Sequence, residues 1–391
     1  MADFRTVEGL GTESEGLLSD ARFGFYSSAP WWRAARGPDV DAPGYLTAVA
    51  DGEVCGLAPL SFPQHEDNTG YTPHLLFPYR PQAQYALIGP RRGYRAHLPV
   101  RHRVAADVVG GFFETAADAA ASRGTDWVYA LHLTTDSADA LADSGVARPI
   151  LSPLMDTWVR AHGTSMDDYY ASCRGGRAIR RERRRAAAVD VEVAHERLAD
   201  CVDEVALLTR QSLERHGSTR SLASLTEELR LASEHAAEQE VLTTVRRAGR
   251  LLGYSLDYVW GDVLWGRSCA MVDELRTNES PLAFELTFYM PLELCYERGL
   301  RGIHLGPTNL AAKVRRGAEL VPLWQASLYR GEDVFPVEGI RPWTAHVLDT
   351  VRTQCAPHTV DDRLAEIEER ALAYGRGTRG ALPPLPDSGI R

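Results

Sequence analysis

Leu251-Leu-Gly-Tyr254-Ser-Leu-Asp257-Tyr-Val-Trp260, the pair Gly261-Asp262 and Val263-Leu-Trp-Gly-Arg-Ser-Cys-Ala-Met271 form the stretch that decides the fold. Leu252, Tyr254, Leu256, Tyr258 and Trp260 stand at alternate positions and share one face of a strand. Gly253, Ser255 and Asp257 fall on the other face. Gly-Asp between two such runs predicts a hairpin, and a further strand, Val241–Arg246, precedes it across Ala248-Gly249. Downstream, the spacing predicts a helix over about Leu282–Arg298, a short strand at Gly302–Leu305, a polar loop, and a last strand at Leu320–Tyr329. Upstream lie a strand at Val189–Ala194 and two helices, about Leu198–Arg215 and Leu222–Glu238. The order is β-α-α-β-β-β-α-β-loop-β, which is not that of a doubly wound sheet.

The first half has a looser version of the same order. Tyr45–Ala50 and Val54–Leu60 flank Asp51-Gly52, a strong hairpin signal. Residues 61–103 are rich in Pro, Gly, Tyr and Arg and read as long loops with short strands, and such loops in a compact domain tend to carry function. A helix over about Val104–Arg123, weakened by Gly110-Gly111, a strand at Asp126–Leu133, a helix near Ser137–Ser144 and a strand near Met155–Arg160 follow. The pattern restarts at Thr164, where Asp167 and Asp168 suit a first helical turn, and that helix runs to about Ala188. Two helices, Thr344–Gln354 and Val360–Tyr374, precede a proline-rich tail. The expected division is 1–163 and 164–335, each an α/β (α+β) half, then helices over 336–375 and a flexible tail over 376–391.

Composition narrows the function classes. A chain of 391 residues accommodates two domains, and 44% hydrophobic with 25% charged residues excludes a disordered chain. No apolar run approaches the ~20 residues that span a bilayer, and Met1 to Asp20 is acidic and polar, unlike a secretory signal. A soluble, cytoplasmic protein is expected. The six cysteines (Cys55, Cys173, Cys201, Cys269, Cys295 and Cys355) include no close pair, against a zinc site, redox motif or disulfide framework. The formal net charge of −10 does not favour a generic nucleic-acid coat, yet it hides a basic patch. The 43 basic residues are 42 Arg and a single Lys, Lys313. A GC-rich genome would favour Arg codons over Lys codons, and under such a bias a surviving Lys is a candidate for one needed as Lys, with chance survival as the alternative.

Two segments carry a family resemblance. Glu285-Leu-Thr-Phe-Tyr289 leads through Gly299-Leu-Arg-Gly-Ile-His304-Leu-Gly306 to Lys313-Val-Arg-Arg316-Gly317, and the helix at Arg174–Arg185 is dense in arginine. Together they make residues 165–330 similar to the second domain of the FemABX-like tandem GNAT group, which includes peptidoglycan-biosynthesis acyltransferases. The first half resembles the group in outline, and the Gly306-to-Lys313 loop departs by an apparent extra residue. The resemblance implies two GNAT-like domains in tandem, each a mixed, mostly antiparallel sheet flanked by helices. It also implies amide formation by acyl transfer to an amine. The donor in such proteins is an aminoacyl-tRNA or an acyl-CoA, and the acceptor a peptidoglycan precursor or a small-molecule amine.

Within that frame Lys313 is a candidate to stabilise the oxyanion of ester aminolysis or to hold a phosphate, with a solvated surface Lys as the alternative. Asp257 and His304 are candidates to handle the proton, each with a structural role as the alternative. The donor-binding candidates are Arg315, Arg316, Asn309, Arg276, Glu285 and Tyr254, with Arg276 just before a helix start at Ser280-Pro281 suited to anions. Arg174, Arg177, Arg181 and Arg184 stand at helical spacing with Arg180 beside them, a row able to track an RNA backbone or to form a solvated helix face. No Gly-rich Arg/Gln-x-x-Gly-x-Gly/Ala segment is present, which favours aminoacyl-tRNA over acyl-CoA. Trp31-Trp32 and the run from Tyr79-Arg80 to Arg91-Arg92-Gly93-Tyr94 either line an acceptor pocket or pack as core. No metal or redox cofactor is expected. A non-catalytic RNA- or ligand-binding protein on the same fold is the alternative of a different class.

Overall fold

Hairpin turns and alternating apolar residues build most strands where the sequence places them. The sequence does not predict the strand at Asp3–Val7, the strand expected near Met155 starts earlier, at Ile150, and the one expected at Val189–Ala194 lies a few residues later, at Glu192–Glu196. The computed structural model describes residues 2–35, 40–64, 66, 68–77, 82–101, 105–173, 175–275, 282–356 and 360–377. In chain order come β1 (Asp3–Val7), β2 (Val40–Ala50), β3 (Glu53–Pro63), β4 (Tyr85–Ile88), α1 (Ala105–Ser122), β5 (Trp127–Leu133), α2 (Thr135–Ser144) and β6 (Ile150–Arg160). Next are α3 (Met166–Ser172), α4 (Gly176–Ala186), β7 (Glu192–Glu196), α5 (Leu198–Glu214), α6 (Leu222–His235), β8 (Glu240–Arg247), β9 (Arg250–Trp260) and β10 (Val263–Met271). A π-helical turn, Glu285–Tyr289, runs into α7 (Met290–Arg298), followed by β11 (Gly302–His304), α8 (Leu310–Val314), β12 (Glu319–Tyr329), α9 (Val337–Cys355) and α10 (Asp361–Gly375).

Contacts divide the chain into two compact units. Unit 1 is Met1–Trp32, Pro38–Asp156 and Leu320–Arg391, and unit 2 is Arg33–Gly37 and Thr157–Glu319. The sequence expectation had set its boundaries at 163/164 and 335/336. The strand at Leu320–Tyr329 and both C-terminal helices fall in unit 1. The expected tail lies, from residue 378 on, outside the described residues.

In unit 1, β1 to β4 are antiparallel neighbours, β4 pairs parallel with β5, and β12 is antiparallel to β5. Helix α1 buries Val108, Phe112, Phe113 and Ala116. It runs unbroken through Gly110-Gly111, because the second glycine makes room for a neighbour: a Cβ there would stand 2.1 Å from the Phe4 ring. Trp31 and Trp32 are buried, the first against Phe25 and Tyr26 and the second stacked on Tyr45, so this pair packs as core. Helix α10 is held by Arg370 and Tyr374, which both donate to the buried Asp139 of α2.

In unit 2, β7, β8, β9 and β10 form an antiparallel run, β11 pairs parallel with β10, and residues 158–160 of β6 are antiparallel to β11. The two faces of β9 divide as the alternation predicts. Tyr254 meets α5, its hydroxyl 2.6 Å from Thr209 Oγ1, while Gly253 lies under Leu286 of the π-helical turn.

Three local expectations are corrected. The helix expected over 164–188 is two helices, α3 and α4, separated at Cys173, whose ψ of 132° is extended. Gly176 then starts α4 so close to the Tyr170 carbonyl that a Cβ would lie 1.9 Å from its oxygen. The polar loop before the last strand contains α8, which Asn309 opens in the left-handed region at φ 56°. The helix expected at Leu282–Arg298 widens to a π-turn just before Pro291, whose missing N–H cannot bond the carbonyl four residues back.

Candidate active site

The site in unit 2 lies where two parallel strands part. β10 and β11 pair through three rungs, Val263↔Gly302, Leu264↔Ile303 and Trp265↔His304. Beyond them β10 continues to Met271 with a bulge between Gly266 and Ser268, while the chain after His304 turns away at Gly306, φ 70°. A bulge re-aims a strand and is common beside active sites. Thr157 assists the turn by donating its hydroxyl to the Gly306 carbonyl.

Two of the three residues singled out for catalysis lie at this parting, Asp257 beside Gly266 and Lys313 against the chain that leaves β11. The His304 ring, in register with Trp265 and Trp158, points to the sheet face opposite Asp257. Asp257 sits opposite Gly266 in the β9–β10 ladder. A Cβ on Gly266 would stand 2.9 Å from the His304 carbonyl oxygen and 3.5 Å from Asp257 Oδ1, so glycine keeps the two strands and the carboxyl close. Asp257 is buried, and loss of hydration pushes its carboxyl up to about 7, against the opposing pull of the Ser255 hydroxyl that donates to Oδ2 at 2.9 Å. Lys313, half-buried in the last turn of α8, donates from Nζ to the carbonyls of Leu305 (2.6 Å) and Gly306 (2.9 Å). Its ammonium is thereby held on the chain that leaves β11. The His304 ring is buried between those of Trp158 (5.0 Å) and Trp265 (4.9 Å).

The donor-binding candidates are not gathered there. Arg316 is buried, with Nε on Tyr289 Oη (2.7 Å), Nη1 on the Ala312 carbonyl (2.9 Å) and Nη2 on Glu182 (2.8 Å). Its guanidinium also lies 3.4 Å from the Phe284 ring centroid. All three nitrogens are thus engaged inside unit 2, which makes this residue a cross-link between α4, α8 and the helix before β11. Glu285 is likewise internal: Arg183 grips it through Nε at 3.0 Å and Nη2 at 2.7 Å, with Glu293 and the Tyr170 hydroxyl completing the guanidinium. Tyr254 is on the α5 face of β9, opposite to Asp257, and burial pushes its hydroxyl up to about 12. Arg315 and Asn309 are exposed, and Arg276 with the rest of 276–281 lies outside the described residues.

Arg174 also lies outside the described residues, but Arg177, Arg180, Arg181, Arg184 and Arg185 are exposed on α4. The helix turns Ile179 and Ala186 inward. Arg180 is tied to Asp167 at 2.8 Å. Sequence reasoning missed Glu182, the single acid within Arg180-Arg181-Glu182-Arg183-Arg184, as the anchor for Arg316. An acid inside a basic run is the signal that could have found it. Ser255 and Gly266 were also missed as neighbours of Asp257, although Ser255 sits two residues away on the same face.

A model of the FemAB-like family, concerned with peptidoglycan biosynthesis and recognition, matches residues 72–358. The chain belongs to the FemAB-like family. As a member it is an acyl- or aminoacyltransferase. Among solved structures it resembles FemX at a TM-score of 0.58 and 13% identity, over 82% of this chain and 96% of that one. A tandem GNAT protein from the clavulanic acid biosynthesis pathway matches at 0.51 and 14% identity, over 85% and 100%. L-PGS from Bacillus licheniformis matches at 0.52 and 10%, over 89% and 97%. At such identities the likeness establishes a fold of tandem GNAT type. No curated protein sequence matches. Among the described residues no helix is long and apolar enough to cross a membrane, and no group of three or more His, Cys, Asp or Glu is placed to hold a metal ion.

Proposed function

We propose that this FemAB-like chain moves an aminoacyl group from aminoacyl-tRNA to the amine of a small-molecule or peptide acceptor, in the cytoplasm, with no cofactor beyond these substrates. The observation that carries the reading is the parting of β10 from β11 with Asp257 and Lys313 beside it, in the same unit as the exposed arginines of α4.

The acceptor nitrogen attacks the ester carbonyl carbon, forming the C–N bond, and the carbonyl oxygen becomes an oxyanion. Lys313, its ammonium fixed by two carbonyls, stabilises that charge. Asp257, which titrates near neutrality, takes the proton that the nitrogen releases. Collapse of the intermediate breaks the bond to the ribose oxygen, which leaves with a proton, and the amide remains. His304, enclosed by two indoles on the sheet face opposite Asp257, has a structural role and takes no part in the transfer. Arg177, Arg180, Arg181 and Arg184 hold phosphates of the tRNA by charge.

The test supplies purified protein with a labelled aminoacyl-tRNA pool and a mixed amine extract, with and without RNase. RNase-sensitive transfer of label into small molecules is expected, and Lys313→Ala is expected to reduce it by about 10²–10³-fold. Transfer from an acyl-CoA panel alone would replace the donor, and α4 would then be a solvated face.

A further inference from the structure

Unit 1 has a polar interior of its own, which the transfer chemistry of unit 2 leaves unused. The loop after β4 buries Arg91, Arg92 and Arg95 at 5%, 3% and 8% exposure. It is pinned by Trp31, whose Nε1 donates to the Arg91 carbonyl at 3.2 Å, and by the Tyr71 hydroxyl, which donates to the Gly93 carbonyl. Arg95 faces Asp156 at 3.5 Å. Arg91 donates from Nη2 to Glu66 at 2.7 Å, but its buried Nε and Nη1 have no hydrogen-bond partner among the described residues. Glu66 also accepts from the Asn68 N–H at 3.0 Å, and Asn68 Oδ1 from the Tyr94 hydroxyl at 3.2 Å.

A second incomplete group adjoins this network. The Tyr94 ring lies 5.8 Å from that of His132, a fully buried residue of β5. His132 Nε2 is 2.6 Å from the Gly70 carbonyl and so carries the proton, which leaves Nδ1 an acceptor, and it too has no partner among the described residues. The backbone is strained here as well: Arg92 and His132 have φ of 61° and 56°. The other described non-glycine residues with positive φ are Asp51, Ala248 and Arg330 in hairpin turns and Asn309 at a helix start. Strain of this kind outside a turn concentrates where ligands bind.

A buried guanidinium with two of its three nitrogens unpartnered is costly, and an anion would complete it. We propose that the Gly89–Arg95 loop binds the carboxylate or phosphate of a small ligand, with Arg91 as its anchor and Glu66 holding the place when no ligand is bound. Glu66 engages one nitrogen. An incoming oxyanion that takes Nε together with Nη2 forms the stronger bidentate fork and displaces it.

The test needs no turnover. The full chain is titrated by calorimetry at low salt with inorganic phosphate and, separately, with succinate. One saturable site per chain is expected for at least one probe, and the probe that binds names the class. Arg91→Lys keeps the charge but loses the fork, and is expected to weaken binding about tenfold or more. Glu66→Gln removes the competing carboxylate and is expected to tighten binding several-fold. The proposal is overturned if neither probe saturates, if folded Arg91→Lys binds as the parent does, or if Glu66→Gln weakens binding. Should Arg91→Lys fail to fold, Glu66→Gln alone decides.

Discussion

In the proposed reaction burial makes Asp257 a usable base, and at the same time a liability. Out of water its carboxyl is pushed up to about 7, so it is half ionised where the enzyme works. The wild-type rate should therefore rise through about pH 7 as the base form appears. Asp257→Asn should lose about 10²–10⁴-fold and flatten that limb, measured as a pH–rate profile. Ser255→Ala removes a donor to the charged form and should move the limb upward. Stability runs the other way. Because the folded carboxyl titrates above an unfolded one, its contribution is intact below about pH 4 and is lost as pH rises through about 7. Asp257→Asn should thus be more stable than the parent at pH 8, by at most on the order of 4 kcal/mol, and equal to it near pH 3.5; denaturant titrations at both pH values check this. Asp257 and Lys313 were legible in the sequence, one on the small-residue face of a strand and the other as the single lysine. The buried roles of Arg316 and Glu285 were not, because their partners Glu182 and Arg183 lie 134 and 102 positions away.

Helix α4 shows how one element divides its charges. Arg177, Arg181 and Arg184 are exposed, while Arg183 turns inward to Glu285. Replacing those three with Gln should weaken tRNA binding and lower the slope of log affinity against log salt by roughly 0.7–0.9 per arginine lost, with the thermal midpoint unchanged. Arg183→Gln should leave RNA binding nearly intact but cost about 3 kcal/mol, because Glu285 would keep a buried charge without its partner. Filter binding over a salt series, read beside a melting curve, separates the two outcomes. Helical spacing placed the exposed row in the sequence. It did not reveal the inward turn of Arg183, nor the break at Cys173, since both depend on what α7 and the Arg316–Gly317 segment present to the helix.

Across the whole molecule the chain leaves unit 1 at Thr157 and returns to it at Leu320. A fragment of residues 1–163 lacks β12, α9 and α10, and with them Trp324, Arg370 and Tyr374, which contact Thr135 and Asp139 of α2. That fragment should not fold, seen as dispersed amide resonances lost relative to the full chain. Arg370→Ala should lower the stability of the intact protein by about 3 kcal/mol through the uncompensated Asp139. The amino-acid sequence alone determined the hairpins, the order of the strands from β8 to β12, the tandem α/β class and the family, because hydrophobic period, hairpin turns and short motifs are local properties of the chain. It did not determine β1, α8 or the split between α3 and α4. Only the tertiary structure decided which strands close each unit, where β10 and β11 part, and which arginines are cross-links, because pairing and burial depend on residues far apart in the chain.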